Sequence, residues 1–280
     1  MSGAQILLPP VFVPSARRVR AAELSDIRDR GYITVGVKNN RAPLGFLDAD
    51  GNLTGFEIEI AQRLAEELLG SSTALRLVPV SNTDRLNAVI ADDIDIAIAA
   101  LTITAARRRI VNFSDPYYLD GAAFITQQSN LQTLRDLAFA RVALLEGSST
   151  VPRVKYILPS ARIFGVASYQ DAQTALAGGS VDAFAGDVSV LAGWLADNAD
   201  YRILPSIVSA EPLAIAMPKG TRFNPLKAEI NQALRRWYDE GWLQDRAAYW
   251  GLPSEASQFI DLSPDVPTEA SEEDASVPKR

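Results

Sequence analysis

The sequence predicts an α/β protein of two doubly wound lobes joined by a two-strand hinge. Three observations lead there. Strand and helix patterns alternate over residues 32–98, they alternate again over 141–186, and a late strand pattern at 212–217 precedes two helical segments that need an existing sheet to pack on. The boundaries that follow are an extended arm at 1–20, a first lobe at 21–120 plus 211–253, a second lobe at 121–210 and a disordered acidic tail at 254–280.

In chain order, residues 1–20 combine prolines with Arg17, Arg18 and Arg20 and read as an extended arm. Residues 21–30 form a short helix stopped by Gly31, and 32–37 alternate as a strand. The following KNNRAPLGFLDADGNLTG is a loop and hairpin whose DADGN is turn chemistry. Asp48, Asp50, Asn52 and Glu59 also fall at calcium-loop spacing, but the position that needs glycine is Leu53, so the turn is preferred. Phe56, Ile60, Leu64 and Leu68 recur every four residues and predict a helix, with Glu57, Glu59, Glu66 and Glu67 mostly on its wet side.

Residues 75–80 are a strand, and SNTDRLNAVIADD is a helix capped by Asn82 or Thr83. Ile94, Ile96 and Ile98 alternate with small residues, as in a central strand of a parallel sheet covered on both faces. At its carboxyl end Thr102 and Thr104 offer hydroxyls and N–H groups where open α/β sheets bind ligands, and Thr104 can cap a short helix bearing Arg107. An anion is the expected guest. Arg107, Arg108 and Arg109 read by pattern as a solvated basic face, although one of them can turn inward and fork onto a carboxylate. VNFSDPYY then returns as an apolar, turn-rich segment.

A strand at 122–127 leaves the first lobe, and NLQTLRDL is a short helix. The second lobe continues with strand 141–145, a GSST turn into a helix, strand 161–166, helix 169–177 and strand 181–186, after which Asp187 caps the next helix. Strand 212–217 returns, and 224–250 supplies two helices that pack back on the first lobe. Beyond Ser254 the chain is acidic and nearly free of large apolar groups, which predicts disorder.

Composition narrows the function classes. The 280 residues can bury a full core, and 48% hydrophobic with 22% charged residues is ordinary for a globular protein. A net charge of −7 argues against nucleic acid or an anionic membrane as the main partner. The absence of cysteine and histidine removes Cys-His and Ser-His nucleophilic systems and the usual zinc sites, so neither metal nor cofactor is expected. The start lacks a basic n-region and a long apolar core, so either a leader was removed or the start is truncated. No apolar run is long enough to span a membrane.

The run TIT, two residues, Arg107 and then VNFSDPYY resembles a motif of the polar amino-acid family of bacterial extracytoplasmic solute-binding proteins, the receptors of ABC importers. GFEIEIAQRLAEEL at 55–68 and GGSVDAFAGD at 178–187 resemble two further motifs of that family, in the same order, and the likeness runs from about Ile33 to Leu252. It implies the type II periplasmic-binding-protein fold, a free amino acid held between the lobes, a membrane permease as partner, a monomer, and a periplasmic or extracytoplasmic location with a possible tether through the removed leader.

Residue by residue, the resemblance gives Arg107 the ligand α-carboxylate, with the Thr102 hydroxyl and N–H and the Ala100 carbonyl beside it, and leaves Arg108 and Arg109 in water. Gly147, Ser148 and Ser149 match a turn at a helix start that favours a carboxylate, and Asp187 matches the ammonium-binding aspartate. Ordinary capping is the alternative at both places. Departures from the family pattern concern the side-chain pocket. Lys38 stands where basic-ligand receptors often have aspartate, and Arg41 where many members have a clamping aromatic ring. Arg85 matches an arginine that acidic-ligand members aim into the cleft, and Tyr169 lies where a polar group reaches over from the other lobe.

These cations favour glutamate or aspartate. If Lys38 and Arg41 instead reach water, a neutral ligand such as glutamine fits as well. Enzymes on the same fold, such as dehydratases of cyclic dienyl acids, form the second class; they need a carboxylic acid of raised pKa, for which Glu146 is the candidate. A sensory ectodomain is the third.

Overall fold

The computed structural model describes residues 23–197, 200–205 and 208–252. The expected arm at 1–20 and tail at 254–280 lie outside the described residues.

Helix α1 (Leu24–Arg30) ends at Gly31, whose φ of 75° is left-handed and returns its N–H to Ile27. Strand β1 (Ile33–Val37) follows, then a small antiparallel sheet of β2 (Asn40–Arg41), β3 (Gly45–Leu47) and β4 (Leu53–Thr54). The DADGN stretch turns between β3 and β4, with the Asp48 carboxylate accepting from the Asp50 and Asn52 N–H groups. Helix α2 (Phe56–Leu69), β5 (Leu75–Pro79), α3 (Arg85–Ile90), β6 (Ile96–Ile98) and the four-residue α4 (Ala105–Arg108) complete the first run of alternation.

Strand β7 (Val111–Thr126) leads away, and a 3-10 turn at Leu134–Leu137 precedes β8 (Arg141–Leu145). Then come α5 (Thr150–Ile157), β9 (Arg162–Val166), α6 (Tyr169–Ala177), β10 (Ala183–Asp187), α7 (Val188–Asp197), β11 (Arg202–Ile203), the returning β12 (Ser209–Pro218), α8 (Asn224–Asp239) and α9 (Trp242–Tyr249).

The sheet order is β5-β1-β6-β12-β7-β10-β8-β9, with β11 beside β7. The two strands that cross between the halves are β7 and β12, paired antiparallel from Val111↔Pro218 to Ala122↔Ser209. On one side β7 and β12 continue the sheet of β1, β5 and β6; on the other, β7 pairs with β10 and β11. Apolar clusters follow the same division. Leu64, Ile60, Ile230 and Trp237 pack one face of the first sheet and Val89, Ile94 and Leu101 the other, while Phe184, Leu191 and Trp194 cover one face of the second and Phe124, Leu144 and Val154 the other. The fold is the type II periplasmic-binding fold of two α/β halves joined by two strands.

Four local expectations are corrected. VNFSDPYY is not turn-rich but part of one 16-residue strand: Pro116, which has no N–H to donate, sits among register shifts on the β12 side at Leu213/Ala214 and Ala214/Ala216. The strand carrying Ile96 and Ile98 is parallel to β1 but antiparallel to β12, because β12 arrives from the opposite half. Helix α3 is not capped by the side chain of Asn82 or Thr83; the Ser81 hydroxyl accepts from the Asp84 N–H instead. Glu57 is fully buried rather than wet. The first turn of α2 lies under the preceding loop, with the Phe56 and Glu57 N–H groups donating to the Pro43 and Leu44 carbonyls, and Gly55 permits that approach at φ 125°.

Candidate functional site

The site is built where the carboxyl end of β6, the β2 loop, the crossing strands and the amino ends of α5 and α7 converge. After β6 the backbone bends sharply: Ala100 has φ 53°, an uncommon value for a residue with a side chain. Two buried side chains hold the bend. Glu57 accepts from the Ala100 N–H at 2.7 Å, and Arg85 donates Nη1 to the Ala99 and Ala100 carbonyls at 2.5 and 2.8 Å. Burial, and then the neighbouring Arg107 and Arg41, push Arg85 down to about 9. Burial likewise pushes the Glu57 carboxyl up, against hydrogen bonds from Tyr117 and Ala100.

Thr104 caps α4 by accepting from the Arg107 N–H. That short helix turns Arg107 inward and leaves Arg108 and Arg109 exposed. Arg107 donates Nη1 to the Thr102 carbonyl at 2.9 Å and Nη2 to the Gly147 carbonyl at 3.1 Å, spanning the two halves. Burial lowers its pKa, against Glu211 and Asp187. Beside it the Ser149 hydroxyl lies 3.1 Å from Thr102 Oγ1 and 2.9 Å from Glu211 Oε2. The Ser148 hydroxyl is engaged at the start of α5, where it accepts from the Thr150 N–H and donates to Thr150 Oγ1.

The Arg41 side chain, 2% exposed, does not reach water. Its Nη2 lies 2.7 Å from Asp187 Oδ2 and 3.6 Å from Asp120 Oδ2, and its guanidinium stands 5.7 Å from the Tyr169 ring centre. Burial opposes the Arg41 charge, but Asp187 and Asp120 outweigh it and hold the group firmly protonated. The 2.7 Å contact is an ion pair without an aligned hydrogen bond, and Arg41 Nε has no partner. The Tyr169 hydroxyl donates to Asp187 Oδ2 at 2.9 Å.

Among the described residues, the bonds of the Asp187 side chain run to Arg41 and Tyr169. The expected cap of the next helix comes instead from Asp120, which accepts from the Ser189 N–H and hydroxyl and from the Gly121 N–H. The physical reason is register: Asp187 is the last residue of β10, while Asp120 on the neighbouring β7 faces the first turn of α7. Burial, then Asp187, push Asp120 up to about 7.

Lys38, 3% exposed, donates to the Val80 carbonyl at 3.0 Å, so it does not reach water either. Burial, Arg85 and Arg41 push it down to about 8. Glu146 is exposed. A cavity of ≈580 Å³ opens beside Arg41 and Tyr169, walled by Pro43, Ser168, Trp194 and Trp250. Among the described residues no group of three or more acidic side chains could hold a metal ion, and no helix is long and apolar enough to cross a membrane.

The structure thus brings Arg107, Thr102, Ser149, Ala100, Arg85, Lys38, Arg41, Tyr169 and Asp187 into one neighbourhood and leaves Ser148 at its edge. Sequence reasoning missed Glu57, Asp120 and Glu211. Asp120 and Glu211 stand opposite each other in the β7–β12 register, and an acidic residue in mid-strand on both crossing strands was their signal.

A family model described as bacterial extracellular solute-binding proteins, family 3, matches residues 33–253. The chain is 29% identical over 230 residues to the glutamine-binding protein of an ABC transporter of Bacillus subtilis, covering 81% of this chain and 84% of that protein. It is 31% identical over 202 residues to a glutamine-binding protein of Geobacillus stearothermophilus, covering 71% and 77%, and 25% identical to a glutamate-binding protein of Corynebacterium glutamicum, covering 77% of each. Among solved structures it resembles a mutant of ArgBP from T. maritima, with a TM-score of 0.75, 27% identity and 81% and 98% coverage. It also resembles an ancestral amino acid-binding protein described as a precursor of cyclohexadienyl dehydratase, with a TM-score of 0.73, 28% identity and 82% and 99% coverage.

Proposed function

From the premise that the chain belongs to family 3 of the bacterial extracellular solute-binding proteins, we propose that this substrate-binding protein of an amino-acid ABC transporter binds an acidic amino acid, glutamate or aspartate. Its relatives are binding proteins rather than enzymes. The ligand lies between the halves, which close on it by bending the β7–β12 pair, and the closed form meets the permease outside the cytoplasmic membrane.

The observation that carries this reading is charge. Lys38, Arg41, Arg85 and Arg107 are all buried around one point, opposed by Glu57, Asp120, Asp187 and Glu211. Burial holds Asp120 up at about 7, which withdraws part of its negative charge near neutral pH and leaves these cations less than fully opposed. Arg107 takes the α-carboxylate with Thr102 and the backbone at Ala100, while Lys38 and Arg85, whose Nε is unpartnered, face the distal carboxylate. A hydrogen bond to a charged partner contributes roughly 1.5–3 kcal/mol, and an unpaired buried charge costs about 2–5 kcal/mol, so a basic ligand is rejected.

The similarity to two glutamine-binding proteins favours a second reading, in which the distal group is an amide. A thermal-shift screen against the standard amino acids separates the two. Glutamate or aspartate should give the largest rise, about 2.7 kcal/mol of stabilisation at a hundredfold excess over Kd, and Arg107→Ala should remove it. A largest shift from arginine or lysine, or an undiminished shift in Arg107→Ala, refutes the acidic reading and its site.

A further inference from the structure

The cation that faces Asp187 belongs to the protein itself. Asp187 matches the residue that would receive a ligand ammonium, yet its Oδ2 is already taken by Arg41 Nη2 at 2.7 Å and by the Tyr169 hydroxyl at 2.9 Å. Both sides of this pair are buried, with Arg41 2% and Asp187 7% exposed. The pair also joins the halves, since Arg41 lies on β2 and Asp187 on β10. Asp120 does not take over the ammonium role. Its Oδ1 accepts from Gly121 and Ser189 N–H, and its Oδ2 accepts from the Ser189 hydroxyl and lies 3.6 Å from Arg41 Nη2, so both oxygens already have partners within the chain. Arg41 keeps a buried donor without a partner, its Nε, and the nearby Arg85 Nε is in the same condition.

Resting on the acidic-ligand reading, we propose that Arg41 replaces the ligand ammonium, so that the site recognises the two carboxylates and accepts dicarboxylates that lack an α-amino group. The carboxylate anchors are Arg107, Lys38 and Arg85, none of which depends on a ligand cation. In a cleft where Asp187 had no internal partner, a ligand without an ammonium would leave that buried carboxylate unpaired, and discrimination would be roughly thirtyfold or more. With Arg41 in place that penalty is absent. Arg41 becomes the specificity-determining residue for the α-position.

The test is calorimetric titration of the full-length protein with L-glutamate, glutarate and L-glutamine. Glutarate is expected to bind within about tenfold of glutamate or more tightly. In Arg41→Ala the glutamate preference should rise to roughly thirtyfold or more, because Asp187 then lacks a cation. If that variant does not fold, Arg41→Lys, which keeps the charge, should retain the wild-type ratio. A glutamate preference of roughly thirtyfold or more in the unaltered protein overturns the inference and leaves the acidic reading standing. Binding of glutamine with neither acid overturns both.

Discussion

Replacing Asp120 with asparagine should stabilise this protein at neutral and higher pH. Asp120 is 1% exposed, and its carboxyl is pushed from 3.8 to about 7 by burial first and by Asp187 second, with Arg41, Ser189 and Gly121 pulling the other way. Because the folded value lies above the unfolded one, the folded protein holds the extra proton between them. The contribution of this carboxyl is therefore most favourable below pH 3.8 and is lost as pH rises through about 7. A rise of that size corresponds to ~4 kcal/mol of stability lost on the high-pH side.

Asparagine preserves the bonding. Its Oδ1 accepts from the Gly121 and Ser189 N–H groups as the carboxylate does, and its amide can donate to the Ser189 hydroxyl, which now donates to Asp120. Urea unfolding of both proteins from about pH 4 to about pH 8 measures the difference, and subtraction cancels the other carboxyls, Glu57 and Asp182 among them. Asp120→Asn should gain about 2–4 kcal/mol near pH 8 and almost nothing near pH 4. A variant that is less stable near pH 8, with the wild-type pH slope, refutes the reasoning.

Three further outcomes are expected. Lys38 is pushed down to about 8 by burial and by Arg85 and Arg41, so its cation is present below that pH and lost above it; glutamate affinity, read by calorimetry, should fall about tenfold as pH rises past it, and Lys38→Met should abolish this step. Gly147 has φ 71°, and a Cβ there would lie 3.0 Å from the Asn82 carbonyl oxygen across the cleft, so Gly147→Ala should weaken ligand binding about tenfold through faster release while lowering unfolding stability by only ~1 kcal/mol. Glu57→Ala strands the Ala100 N–H and the buried Tyr117 hydroxyl and should cost ~3 kcal/mol in thermal unfolding, whereas Glu57→Gln, which retains an acceptor, should cost far less.

The elements were legible because their signals are local. The α2 stripe of Phe56, Ile60, Leu64 and Leu68 faces the core, Gly31 ends α1 at a left-handed φ, and Thr104 caps the turn that carries Arg107. Errors arose where a neighbour from elsewhere in the chain decided the outcome. Glu57 follows the polar side of its helix by periodicity, but the Pro43–Leu44 loop covers that turn. SDPYY has the composition of a turn, yet pairing with β12 draws it into a bulged strand. Asp187 has the position of a cap, yet Asp120, one strand over, takes the Ser189 N–H.

The sequence by itself determined the α/β alternation, the return of the chain to its first half, and a set of residue types suited to an amino acid: Arg107 after the threonines, Lys38 and Arg41 in place of an acid and an aromatic ring, and a third cation at Arg85. Only the tertiary structure decided what those cations face. Lys38 turns to the Val80 carbonyl, Arg85 to the backbone at Ala99 and Ala100, and Arg41 crosses the cleft to Asp187. Charge type is a property of each residue, whereas the partner of a charge and the water around it depend on packing between segments remote in sequence, and it is desolvation by that packing that shifts Lys38, Arg85 and Asp120.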